Sequence, residues 1–295
     1  MGMAKDLAES FPEAKERFDQ ADDLLGVSLS DICFNGPEET LKQTQVTQPA
    51  LFVHSAIVAD LLKKRGIVSR SVAGHSLGEL SALYAAGAYS FEQGLQLVAE
   101  RSRCMQDATE NNPGAMAAII GLSPEEVVAA CYEAESKGIV QPANFNSPGQ
   151  IVISGSKEGV AEAMRIAKEK GAKRALELPV SGAFHSPLME SASATFATIL
   201  SDVSWNSLDL PYYPNVTAQK EEDVRNVSGL LQQQLTHSVR WIECVEAMVA
   251  DGVTRFIEIG PGKVLSGLVK RINGDVEIVN CGTVAEFNEL VSGKR

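Results

Sequence analysis

"VAGHSLGELSALYAAG", from Val72 to Gly87, sets two glycines around a serine as Gly74-x-Ser76-x-Gly78 and follows them with alanines and leucines. Ahead of it, "IVSRSVAG" (67–74) reads as a short strand ending on a glycine; behind it, "ELSALYAAGAYS" reads as a helix. Strand, Gly-x-Ser-x-Gly, helix is the context of a nucleophile elbow, where a sharp turn lifts a serine hydroxyl clear of the backbone. Glycine adopts backbone angles that a side chain forbids, so both glycines are expected to relax the turn. The same spacing also suits a plain tight turn. Taken alone, it does not separate a serine hydrolase from an acyl transferase.

Working outward, helices are expected over Lys5–Leu25 and Ala50–Arg65, and over Phe91–Ala108, where Leu95, Val98, Ala99 and Met105 recur at helical spacing. From Gly114 the texture changes. "AMAAIIGL" (115–122) reads as a strand, and Ser123-Pro124-Glu125-Glu126 as a capping box with proline at the first helical position. "IVQPAN" and "QIVISG" read as strands around Asn146-Ser147-Pro148-Gly149, then Lys157–Lys170 as a helix and "AKRALELPV" as a closing strand. The order β-α-β-β-α-β fits a ferredoxin-like unit. Near the end, "VTRFIEIGPGKVLSGLVKR" (253–271) is again strand, glycine turn and helix. Gly260-Pro261-Gly262-Lys263 lacks the spacing of a phosphate loop and is read as a helix start. Alternating strands and helices on both sides of the unit predict an α/β protein with a mainly parallel sheet. The expected division is a larger domain over 1–112 and 181–295, interrupted by a subdomain over 113–180.

The bulk numbers exclude several classes. The chain has 295 residues and a formal net charge of -12. Phosphates would be repelled, so nucleic acid is not an expected partner. An acidic partner could still meet a local basic face such as Lys63-Lys64-Arg65, Lys168-Glu169-Lys170, Lys173-Arg174 or Lys270-Arg271, although each run alone reads as a solvated helix end. The five cysteines are scattered without metal or redox spacing, as in a reduced cytoplasmic protein, and the four histidines form no metal cluster. No metal is expected. "MGMAKDLAES" has no apolar signal core, and the stretch 50–62 is too short and too interrupted for a membrane span. The sequons Asn215-Val216-Thr217 and Asn226-Val227-Ser228 are read as chance.

An elbow serine is a weak nucleophile until a base takes its proton. His54 lies in an apolar helical stretch and reads as a core residue. His75 adjoins the serine, and the turn is expected to point it elsewhere. His237 has no distinguishing context. His185, in "LPVSGAFHSPLM", follows a predicted strand and comes after Ser76 in the order that α/β hydrolases use. No acidic third member stands out.

"GHSLGE" followed by "SALYAAG" resembles the active-site stretch of malonyl-CoA:acyl carrier protein transacylases. The resemblance continues, in order, through "TQPALF", "LVAERSRCMQ", "GAMAAIIGL", "NFNSPGQIVISG", "GAKRALELPVSGAFHSPLM" and "EIGPGKVLSGLVKRI", nearly the whole chain. It implies an α/β-hydrolase-like domain with a ferredoxin-like insert. It also implies Ser76 as nucleophile, His185 as base, and a backbone carbonyl at Gln234 in place of a third acid. Arg101 would grip the free carboxylate of malonyl, which a guanidinium fork suits. Leu77 would give one oxyanion N–H, Gln48 and Asn146 would lie near the site, and Phe184 would select against branched acyl groups. The implied substrates are malonyl-CoA and an acyl carrier protein bearing phosphopantetheine. The implied protein is a monomer in the cytoplasm, or in a plastid or mitochondrial matrix after loss of a targeting segment, with no bound cofactor.

One departure stands against this. The family opens with a strand and a Gly-Gln-Gly loop that supplies a second oxyanion donor, whereas "MGMAKDL" resembles the segment just after it. The reading favours a start placed at an internal methionine over a true truncation. Two alternatives follow: a serine esterase or thioesterase, and a catalytically impaired carrier-binding fragment.

Overall fold

Prolines set the first breaks in the chain. The computed structural model describes residues 1–180 and 182–293; the boundary expected at residue 181 lies outside them, as do the last two residues. The single helix expected over Lys5–Leu25 is two, α1 (Lys5–Ser10) and α2 (Pro12–Leu25), parted by Phe11 in an extended conformation. A residue before proline is pushed out of the helical region, while proline itself suits a first helical position. After α3 (Leu29–Asn35) and α4 (Glu38–Leu41), α5 (Thr44–Lys64) starts six residues before the expected Ala50 and contains Pro49. That early start makes Gln48 a helical residue.

Next come β1 (Val72–Ala73), α6 (Leu77–Ala85) and α7 (Phe91–Asn111), the last opened by a capping box between Ser90 and Gln93. The middle of the chain runs β2 (Ala115–Ile120), α8 (Pro124–Ala134), β3 (Val140–Ser147), β4 (Gln150–Gly155), α9 (Lys157–Glu169) and β5 (Arg174–Glu177). The remainder is α10 (Glu190–Ser201), β6 (Tyr212–Tyr213), α11 (Val224–Gln234), α12 (Trp241–Ala250), β7 (Arg255–Ile259), α13 (Val264–Ile272), β8 (Glu277–Cys281) and α14 (Val284–Val291).

Both α and β elements are present, and outside 113–180 the described strands pair in parallel, but as smaller sheets than the one expected. Parallel pairing occurs as two separate two-stranded pieces, β1 with β6 and β7 with β8. The largest sheet among the described residues is the antiparallel β3-β4-β2-β5. The strand expected over 67–74 shrinks to Val72–Ala73. Ser69, Arg70 and Ser71 do not offer the continuous apolar run that a strand buried on both faces needs.

In the antiparallel sheet the two faces of β2 divide the work, as a period of two requires. Ala115, Ala117 and Ile119 pack with Ile151, Ile153, Val127, Cys131, Val160 and Ala163 beneath α8 and α9. Met116 and Ala118 pack on the other side with Ala143, Val152 and Phe184. β3 is also stitched to the segment after α11, through Phe145 N–H to the Val239 carbonyl at 2.9 Å and Val239 N–H to the Ala143 carbonyl at 2.8 Å. The largest core, around Phe18, Phe52, Leu80, Leu95 and Phe196, lies among α2, α5, α6, α7 and α10. Among the described residues no helix is long and apolar enough to cross a membrane.

Candidate active site

Ser76 stands between β1 and α6 with φ 50° and ψ -109°. A side-chain-bearing residue in such a region carries about 1–3 kcal/mol of backbone strain. This corrects the expectation about the glycines. Neither Gly74 nor Gly78 has a positive φ; the serine itself takes the left-handed angle. Gly74 is needed for space instead, because a Cβ there would overlap the carbonyl group of Gly78.

The strained turn is tied from the far side. The Ser76 N–H donates to Asn215 Oδ1 at 2.7 Å, and Asn215 Nδ2 donates to the Gly74 carbonyl at 2.7 Å. Asn215 follows β6, the strand beside β1, so neighbouring strand ends grip the elbow. Asn215 N–H donates in turn to Glu79 Oε2 at 3.0 Å, one turn into α6. Gln234 Nε2 donates to the Ser76 carbonyl at 3.0 Å and to Glu79 Oε2 at 2.8 Å.

Ser76 Oγ lies 2.8 Å from His185 Nε2, and His185 Nδ1 lies 2.8 Å from the Gln234 main-chain carbonyl. A carbonyl can only accept, so Nδ1 carries the proton and Nε2 presents its lone pair to the serine hydroxyl. Burial, helped by the nearby Arg101 charge, pushes His185 down to about 3, so the imidazole is neutral near pH 7. His185 also takes a left-handed φ of 58°, so Ser76 and His185 both sit on strained backbone.

Arg101 projects from α7 and is buried. Its Nη2 donates to Ser76 Oγ at 3.1 Å and to Gln234 Oε1 at 2.7 Å; its Nη1 donates to Gln48 Oε1 at 2.6 Å. Gln48 Nε2 faces Met105 Sδ at 3.5 Å. Burial lowers Arg101 to about 10, against the opposing pull of Glu79, so it stays charged at neutral pH. A cation thus stands within hydrogen-bond reach of the Ser76 hydroxyl.

The remaining predicted residues lie around this cluster. Leu77 is the first residue of α6, with one of the N–H groups that a helix leaves without an internal partner. Asn146 on β3 is directed to His75, its Oδ1 meeting His75 Nε2 at 2.7 Å. The turn does aim His75 away from the catalytic pair, toward Asn146 and the Trp241 ring. Phe184 is half-buried one residue before His185, against the sheet. His54 is a core residue bonded to the Gly282 carbonyl at 2.8 Å. No group of three or more potential metal ligands occurs among the described residues.

Three residues of this network were missed by the sequence reading. Asn215 was set aside as part of a sequon; its position at the end of a strand parallel to β1 was the usable signal, because sites in α/β sheets gather at such ends. Glu79 was quoted within "GHSLGE" without a role. Gln141 on β3, whose Nε2 donates to the His185 carbonyl at 2.8 Å and the Thr236 carbonyl at 3.0 Å, had no visible signal.

The acyl transferase domain family matches residues 1–284. The malonyl CoA-acyl carrier protein transacylase of Bacillus subtilis (strain 168) is 45% identical over 274 residues, 92% of this chain and 86% of that protein. The crystal structure of an acyl carrier protein S-malonyltransferase from Vibrio cholerae superposes with a TM-score of 0.95 at 43% identity, covering 98% of this chain and 95% of that one. A malonyl-transacylase solved in complex with a type II PKS acyl-carrier protein gives 0.96 at 40% identity, covering 99% and 95%. The matched span takes in the serine turn, the buried arginine and the histidine loop alike, and the chain belongs to the acyl transferase domain family.

Proposed function

We propose that this chain transfers a malonyl group from malonyl-CoA to the phosphopantetheine thiol of an acyl carrier protein, through a malonyl ester on Ser76. The observation that carries the reading is Arg101, a buried guanidinium 3.1 Å from the serine oxygen. Malonyl differs from a neutral acyl group by a second carboxylate, and an anion buried without a partner is costly. A general esterase has no use for that cation. The names of the relatives above support the same substrates.

In the first half-reaction His185 Nε2 takes the Ser76 proton as Oγ attacks the thioester carbon. The developing imidazolium is steadied by the Gln234 carbonyl on Nδ1, and the oxyanion by the Leu77 N–H. Collapse expels the coenzyme A sulfur, which receives the proton from His185. In the second half the carrier thiol gives its proton to Nε2 and attacks the ester carbon, and Ser76 Oγ leaves with the proton. Covalent catalysis of this kind is ping-pong. Gln48 steadies Arg101, Asn146 holds the His75 ring turned away from the nucleophile, and Phe184 crowds a branched α-carbon, an effect of about 1–3 kcal/mol. The chemistry needs no bound cofactor. A monomer in the cytoplasm suits the free cysteines.

The finer fold belongs to the same proposal: an α/β-hydrolase-like domain over 1–112 and 181–295 with a ferredoxin-like subdomain over 113–180. The β2-α8-β3-β4-α9-β5 succession and the order β3-β4-β2-β5 support the insert. The deciding experiment follows labelled malonyl from malonyl-CoA in the presence of holo-carrier. Label on the carrier supports the transferase; label released as free malonate at the same rate with or without carrier indicates a thioesterase.

A further inference from the structure

Around Ser76 the buried charges balance only while the substrate is absent. Arg101 and Glu79 are both buried, and Gln234 links them: Arg101 Nη2 donates to Gln234 Oε1 at 2.7 Å, and Gln234 Nε2 donates to Glu79 Oε2 at 2.8 Å. Glu79 Oε2 also accepts the Asn215 N–H at 3.0 Å, whereas the buried Oε1 has no partner among the described residues. The other titratable groups that interact with Glu79 are Tyr89 between α6 and α7, Tyr212 on β6 and Cys244 on α12. Burial first, then the charge of Glu79, pushes all three upward, so they are neutral and supply no cation. One guanidinium therefore serves one carboxylate.

We propose that Glu79 takes up a proton when Ser76 becomes esterified by an acyl group ending in a carboxylate, so that the charge of Arg101, which faces Glu79 through Gln234, is left to the substrate carboxylate. This rests on the reading that the malonyl carboxylate meets Arg101. Without the proton, two buried carboxylates would share one cation, and like charges in such a site force one of them to protonate. The proton comes from solvent and goes to Oε1; Oε2 keeps its bonds to Asn215 and Gln234, so the elbow stays clamped. Glu79 touches no reacting atom and is a positioning residue. Burial has already raised it to about 7, so an added anion acts on a group poised near neutrality.

The test counts protons during malonylation. Calorimetric titration with malonyl-CoA in two buffers of different ionisation heat gives the uptake per malonyl-enzyme, and mass spectrometry of the Ser76 peptide reports the ester. Coenzyme A is the same product in every arm, so its thiol cancels between wild type and Glu79→Gln. At pH 8 the wild type should take up about one proton more than the variant, and the difference should vanish near pH 6, where Glu79 is already protonated. Infrared difference spectra of the wild type alone should show a deuterium-sensitive carboxylic acid band on malonylation, so the inference stays testable even where the variant fails to fold. Equal uptake in both proteins, or a malonylated wild type without that band, overturns the inference and leaves the malonyl-serine reading intact. No ester on Ser76 overturns both.

Discussion

Two junctions in this chain share one plan and opposite uses of it. Each runs from a short parallel strand through a glycine-flanked turn into a helix: β1 to α6 through Gly74-His75-Ser76-Leu77-Gly78, and β7 to α13 through Gly260-Pro261-Gly262-Lys263. In the second, glycines carry the left-handed angles, φ 108° at Gly260 and 83° at Gly262. Glu258, on the strand, fills the helix N-terminus by accepting from Leu265 N–H at 2.9 Å and Ser266 N–H at 2.7 Å. In the first, a serine carries the strain and no side chain caps the helix. Its carboxylate, Glu79, turns away to hold Asn215 and Gln234. An internal anion closes one helix end, while among the described residues no side chain fills the other. Sequence resemblance between two turns is therefore a poor guide to function; what fills the helix terminus decides.

The sharpest way to break this contrast is Ser76→Ala. Incubation with malonyl-CoA should leave no covalent adduct in the variant and one adduct, on the Ser76 peptide, in the wild type. An adduct that persists would remove the elbow from the chemistry. Next in size is Arg101→Ala, which strands the substrate anion and Glu79 together. Malonyl transfer should fall by about 2–5 kcal/mol in kcat/KM, with a rise in acetyl relative to malonyl. A variant that keeps its malonyl preference would move the carboxylate site elsewhere.

Glycine substitutions then sharpen the comparison. Gly74→Ala drives a methyl group into the Gly78 carbonyl and should destabilise by about 3 kcal/mol or more. Gly262→Ala meets open space but a left-handed angle, for about 1–2 kcal/mol. Denaturant midpoints in the reverse order would show that crowding is not what sets the first turn. Smaller still is Glu258→Ala, which uncaps α13 for about 0.5–2 kcal/mol and should leave Ser76 malonylation unchanged. The smallest expected effect is a flat line. The working form of His185 is neutral and its folded value is about 3, so lowering the pH from 7 to 5 does not protonate it. In Glu79→Gln, which removes the one carboxyl near the site poised close to neutrality, the malonylation rate should show no break across that range; a fall with a midpoint near 6.5 would mean that His185 is solvated.

What the sequence made legible follows from how local each signal is. Ser123 and Glu126 form both bonds of their capping box, because every atom involved lies within four residues. Ser76, His185, Arg101, Gln48 and Gln234 were found through motifs, and they share one hydrogen-bonded cluster. The strain at Ser76 was not legible, because the turn that carries it is held by Asn215, 139 residues away. The helix expected over Lys5–Leu25 breaks at Phe11, a break that Pro12 announces in the sequence. The parallel sheet was overdrawn because apolar content at the ends of "IVSRSVAG" hid its polar middle.

Strand β3 lets the molecule gauge its own alignment. Gln141 reaches the His185 carbonyl and Asn146 reaches the His75 side chain, so one strand touches the loop of the base and the turn of the nucleophile. Residues five apart would face opposite ways in a regular strand, but β3 slips register at Pro142/Asn144 and again at Phe145/Ser147. Adding or deleting a single β3 residue between Gln141 and Asn146 would shift one loop against the other by about 3.3 Å, more than the 2.8 Å that joins Ser76 to His185. The irregularities of β3 act as calibration marks: an insertion here would put Ser76 and His185 out of step.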